Sequence, residues 1–190
     1  CSRPLCCSAR SPTAPTWSIS RKAGQYLLVA TGGLYVADAL DGTWSQRSDA
    51  GVFAAPVRHF SAAPAQQKLF AASTSLFESN DQGATWAAHA VTGGVEALAA
   101  SGAVVLLSAN GSQQRSDNYG NTFRPQTAPI QSGVSFYVAQ GETFWAGGNG
   151  GLFTSDDDGV TFTAVQTGLP SGVALRGVYF AGGYVIADTV

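Results

Sequence analysis

The segment Ser79-Asn80-Asp81-Gln82-Gly83-Ala84-Thr85-Trp86 returns at every fixed position as Ser155-Asp156-Asp157-Asp158-Gly159-Val160-Thr161-Phe162. Two looser copies accompany them. Residues 116–123 keep Ser116, Gly120, Thr122 and Phe123 but carry Asn118 in place of the central aspartate. Residues 37–44 keep Thr43-Trp44, with Gly42 one position late and Asp41 directly before it. The closing aromatics Trp44, Trp86, Phe123 and Phe162 follow one another at 42, 37 and 39 residues. A period near 40 limits the chain to architectures of repeated units, because a unit of that size buries its apolar face only against a neighbour.

The runs between the motifs say which unit repeats. Short apolar stretches lie upstream of each copy at 26–30, 68–72, 104–108 and 143–146, and others precede them at 57–62, 95–100 and 134–139. They are rich in Val, Leu, Phe and Tyr and are divided by Gly or polar pairs, the pattern of short antiparallel strands joined by tight turns. No stretch sustains i, i+3, i+4 apolar spacing beyond two turns, so helices are not expected. The reading is an all-β propeller of four-stranded antiparallel blades. An irregular Cys-, Pro- and Ser-rich tail at 1–15 precedes blades at about 16–50, 51–92, 93–131 and 132–169 and a partial fifth at 172–190. Two strands, 174–181 and 184–188, form that last unit, and its motif is missing. The expectation is a fragment of a longer propeller; a ring closed between two chains, and hence a homo-oligomer, is the other solution to an exposed blade face.

The pattern Ser-x-Asp-x-Gly-x-Thr-aromatic resembles the Asp-box, or BNR repeat. That motif is found in sialidases, Vps10/sortilin-type domains, xyloglucan-cleaving glycoside hydrolases and photosystem II assembly-factor-like proteins. The resemblance spans residues 16–190 and implies that the boxes are folding elements remote from any active site. Their residue types suit that role. Asp81, Asp157 and Asn118 offer oxygens to the N–H groups of their own turns. Gly83, Gly120 and Gly159 permit positive φ. Thr85, Thr122 and Thr161 begin the outgoing strand, while Trp86, Phe123 and Phe162 plug the gap between neighbouring strands. Ser79, Ser116 and Ser155 open the motif. A calcium-loop reading of 156–159 fails, since Val165 stands where the EF-hand glutamate belongs.

Composition narrows the partners. Ten basic against twelve acidic residues give a formal charge of -2, and no concentrated basic face exists to displace phosphate counterions, so nucleic acid is not expected. No apolar run reaches the ~18 residues of a membrane-spanning helix. Cys1, Cys6 and Cys7 sit together in the N-terminal tail without a metal-ligand spacing, and no cofactor or metal is expected. A secreted or periplasmic location is the expectation.

Chemistry, if present, should break the repeat. Aligning the first strand of each unit brings Arg58, Glu96, Ser135 and Arg176 to one position, where a propeller lines its central channel. Such a set would hold a carboxylate or a sugar. Glu96 is the one candidate for a catalytic carboxylate, and it lacks the second carboxylate of a glycosidase. Arg115 adjoins a box on an outer strand and does not complete a sialidase arginine set. His59 and His89 read as ordinary strand-edge residues. The function expected is a non-catalytic scaffold binding protein or carbohydrate, with a sialidase-like or xyloglucanase-like glycosidase, or a carbohydrate-binding fragment, as the alternative.

Overall fold

The computed structural model describes residues 18–22, 25–30, 33–37, 39, 41–46, 57–63, 67–81, 83–91, 93–126, 133–165, 168–169 and 173–189. The N-terminal tail with its three cysteines lies outside them. Eighteen strands are present among the described residues, grouped into sheets that follow chain order with every neighbouring pair antiparallel. The first blade comprises β1 (Ser18–Lys22), β2 (Gln25–Ala30), β3 (Gly33–Ala37) and β4 (Ser45–Gln46). The second comprises β5 (His59–Ala63), β6 (Lys68–Ala72), β7 (Leu76–Ser79) and β8 (Ala87–His89). The third is built from β9 (Val95–Ser101), β10 (Val104–Ala109), β11 (Ser112–Ser116) and β12 (Arg124–Pro125). The fourth has β13 (Val134–Gln140), β14 (Thr143–Gly148), β15 (Gly151–Ser155) and β16 (Thr163–Ala164). A hairpin of β17 (Leu175–Ala181) and β18 (Tyr184–Thr189) follows. Among the described residues no helix is long and apolar enough to cross a membrane.

Local chemistry accounts for the tight connections. The β10–β11 turn is Asn110-Gly111, with φ of 50° and 72°, and the β17–β18 turn is Gly182-Gly183, with φ of 57° and 82°. Paired positive φ is the signature of primed hairpin turns, whose twist matches that of the strands they join.

Successive blades meet along their first strands, β5 against β9 and β9 against β13, while β17 lies against β13 and β14. The apolar core is therefore a series of slabs between blades. Val36 of the first blade packs with Val57, Ala62, Leu69 and Ala71 of the second. Phe70 and Leu76 pack with Leu98, Val105 and Leu107 of the third. Ala97, Val104 and Leu106 pack with Val134, Tyr137 and Phe144 of the fourth. Phe136 and Leu152 pack with Leu175 and Val178 of the hairpin. A sheet buried on both faces needs apolar residues at consecutive positions, and all six residues of β10 are buried. Phe144 and Trp145 show the consequence. They alternate across one strand, so Phe144 enters the slab with the third blade while Trp145 stacks edge-on against Phe180, ring centroids 5.3 Å apart.

Candidate functional site

The residues aligned from sequence occupy a specific backbone feature. Along β9–β10 the register jumps from Ala97↔Ser108 to Val95↔Ala109, leaving Glu96 as the extra residue of a β-bulge. Ser135 is skipped identically between Val134↔Gly148 and Phe136↔Gly147, and Arg176 between Leu175↔Thr189 and Gly177↔Asp188. In the second blade Arg58 stands just before β5 and donates its N–H to the carbonyl of Ala72 at 2.8 Å. A bulge shifts the strand's alternation by one residue. Val95 and Leu98, although three apart, thus share the slab facing the second blade, and Val134 and Tyr137 share the slab facing the third. The inserted residue is ejected. Arg58, Glu96, Ser135 and Arg176 are all exposed while the residues preceding them, Val57, Val95, Val134 and Leu175, are buried.

Glu96 bends back onto its own blade. Its Oε2 accepts a hydrogen bond from Ser108 Oγ at 3.0 Å and one from the Gly111 N–H at 3.1 Å, tying the bulge to the β10–β11 turn. Ser108 is fully buried, so this acceptor satisfies a hydroxyl that has no access to water. Sequence spacing located the position; the commitment of the carboxylate to Ser108 and Gly111 emerged only from the structure.

The boxes form closed hydrogen-bond circuits at the β7–β8, β11–β12 and β15–β16 connections. Ser79 Oγ donates to Asp81 Oδ1 at 2.8 Å and accepts from the Gly83 N–H at 2.7 Å. Asp81 in turn accepts from the Thr85 N–H at 2.8 Å and from Thr85 Oγ1 at 2.6 Å. Ser155, Asp157, Gly159 and Thr161 repeat the circuit, with distances of 2.7 to 2.9 Å for the Ser155 bonds and the backbone bond to Thr161. Chiefly because of the threonine hydroxyl, both aspartates are held down to a pKa of about 2. Asn118 makes the same turn with one polarity reversed: its Nδ2 donates to Thr122 Oγ1 at 2.8 Å.

Each box also reaches beyond its own blade. Trp86 packs in the slab shared with the first blade, Phe123 in that shared with the second, and Phe162 in that shared with the third. These aromatics thus pack in the slabs between blades. Arg115 donates from Nε to the carbonyl of Asp158 at 2.8 Å, linking the third blade to the fourth blade's box.

One cluster escaped sequence reasoning. Glu78 is buried, receives a contact from Lys68 Nζ on Oε1 and lies 2.8 Å from His89 Nε2 through Oε2. Lys68 also contacts Asn80 and sits 4.8 Å from the ring centre of Tyr119 in the third blade's box. His89 is accordingly a member of an interior polar cluster, and the signal was recoverable only from register: Phe70↔Glu78↔Ala87 puts Lys68, Glu78 and His89 on one face. Among the described residues no group of three His, Cys, Asp or Glu side chains has the geometry of a metal site.

No protein-family model matches the sequence, and no curated protein matches it. Solved structures do. A GH74 xyloglucanase from Xanthomonas campestris superposes with a TM-score of 0.61 at 19% identity over 85% of this chain and 31% of its own. YCF48 from Cyanidioschyzon merolae gives 0.63 at 12% over 94% of this chain and 65% of its own. The extracellular domain of a putative hybrid two-component system from B. thetaiotaomicron gives 0.66 at 11%, over 95% of this chain and 26% of its own. The chain therefore spans under a third of the xyloglucanase and about two thirds of YCF48. It shares with all three the fold, an array of four-stranded antiparallel blades.

Proposed function

We propose that this Asp-box β-propeller is a non-catalytic binding or assembly scaffold whose ligand, a protein or a carbohydrate, is met by Arg58 and the bulge residues Glu96, Ser135 and Arg176 at a central channel. The observation that carries the reading is the engagement of Glu96. Its Oε2 is spent on Ser108 and Gly111 within its own blade, and the equivalent positions hold Arg58, Ser135 and Arg176 rather than a second carboxylate. Glycoside hydrolysis in its usual form requires two carboxyl groups flanking the bond, one of them free to move a proton. A location outside the cytoplasm fits this role, as it does for the extracellular domain among the structural neighbours.

The second reading is a glycosidase acting on a xyloglucan-like polysaccharide, favoured by the likeness to the GH74 xyloglucanase. A glycan array combined with a panel of fluorogenic glycosides separates the two. The scaffold predicts retention without turnover. Turnover abolished by Glu96→Gln would overturn it.

A further inference from the structure

Asn-Gly occurs twice in the sequence, as Asn110-Gly111 and Asn149-Gly150, and each copy is the exposed turn between the second and third strands of its blade. The two blades hold these turns differently. In the third blade Asn110 and Gly111 take φ of 50° and 72°, and the Gly111 N–H donates to Glu96 Oε2 at 3.1 Å. The Asn110 carboxamide lies against Gly93, where any Cβ would collide with it. In the fourth blade neither Asn149 nor Gly150 takes positive φ, and the left-handed residue is Gly151, at 101°. The bulge residue there is Ser135, whose short side chain places its Oγ 3.0 Å from where a Cβ on Gly148 would stand. Among the described residues nothing accepts from the Gly150 N–H, and no hydrogen bond holds the exposed Asn149 carboxamide.

We propose that Asn149 is a self-modification site, whose carboxamide converts spontaneously to a carboxylate, and that Glu96 and Gly93 withhold the same reaction from Asn110. Water is the only co-reactant. The Gly150 backbone nitrogen attacks Asn149 Cγ, and its proton passes by way of solvent to Nδ2. The Cγ–Nδ2 bond breaks, ammonia leaves, and a succinimide ring remains. Water then opens the ring at either carbonyl, giving aspartate or isoaspartate. Glycine after the asparagine permits the attack because no Cβ crowds the nitrogen. A nitrogen whose N–H is already given to a carboxylate must first break that bond, and a packed carboxamide must first turn out of its contact. Both costs fall on Asn110. The product at Asn149 adds a negative charge beside the Ser135 bulge, and its isoaspartyl form lengthens the backbone of the β14–β15 turn.

The full chain, held in mildly alkaline buffer, sampled over time and mapped by peptide mass spectrometry, tests the assignment. The peptide carrying Asn149 is expected to gain the mass of an amide-to-acid exchange at least about tenfold faster than the peptide carrying Asn110. In concentrated urea the two rates should converge, because the contrast belongs to the fold and not to the dipeptide. Gly150→Ala should suppress conversion at Asn149, and Glu96→Ala should speed it at Asn110, with circular dichroism verifying that both variants fold. Equal rates in the folded chain would overturn the assignment, as would a difference that persists in urea. So would faster conversion at Asn110, which would make Glu96 a base for the reaction and not a guard against it.

Discussion

Asp157 accepts two hydrogen bonds from Thr161, one from its backbone N–H at 2.9 Å and one from its Oγ1 at 2.6 Å. A single carboxylate thereby fixes both the main chain and the side chain of a residue two positions ahead of β16, while Ser155 donates to the same carboxylate. Asp157→Ala removes these bonds together and leaves the turn to water. The expected loss is about 1–3 kcal/mol, which for a chain of this size is roughly 2–4 °C of melting temperature per kcal/mol. Thermal unfolding followed by circular dichroism measures it, and an unchanged curve would remove the circuit from the account of the fold.

Asp81 and Asp157 have their pKa values lowered from 3.8 to about 2 by those hydrogen bonds. A lowered native pKa means that the unfolded chain binds protons first as pH falls. The stabilisation from both carboxylates is therefore complete above about pH 4 and is lost as the pH drops through about 2. Asn118, which holds the corresponding position in the third blade's box, contributes no such dependence. Asp81→Asn with Asp157→Asn should flatten this part of the stability–pH curve, since an amide can keep the turn as Asn118 does. Denaturant midpoints measured between pH 5 and pH 2 check the difference.

Gly159 and Gly120 have nearly the same φ, 74° and 79°, but different neighbours. A Cβ on Gly159 would lie 2.8 Å from Leu106, whereas the nearest atom to one on Gly120 is 3.5 Å away. Gly120→Ala should carry only the backbone strain, about 1–3 kcal/mol. Gly159→Ala adds overpacking against a fully buried leucine, a further 1–3 kcal/mol or so. A double-mutant cycle with Leu106→Ala should show coupling at Gly159 and none at Gly120.

Glu78 holds Lys68 and His89 together in a site where its own side chain is 7% exposed. Glu78→Ala leaves that partly buried ammonium without its carboxylate, at a cost of about 1–3 kcal/mol after allowance for the exposure of Lys68. Asp117 pairs with an Arg124 that is 64% exposed. Asp117→Ala should therefore leave the stability nearly unchanged. Equal losses at the two sites, measured by chemical denaturation, would contradict the burial argument.

Much of the fold was legible because its information is local. β6 runs over the very residues that its apolar pattern marks, and β9, β10, β13 and β14 differ from expectation by one or two residues at their ends. Alignment of first strands placed Glu96, Ser135 and Arg176 at one position. That this position is a bulge was not legible, because an inserted residue is defined by the partner strand it fails to oppose.

The sequence by itself determined the all-β class, the four-stranded unit and the chemistry of the boxes, since eight contiguous residues contain every donor and acceptor of such a turn. Tertiary structure alone decided that Gly159 roofs Leu106, that Lys68, Glu78 and His89 share one face, and that Glu96 turns back to Ser108. Those relationships depend on strand register and on the approach of one blade to the next. Neither is written in any single window of the chain, because hydrophobic burial rewards contact without regard to distance along the sequence.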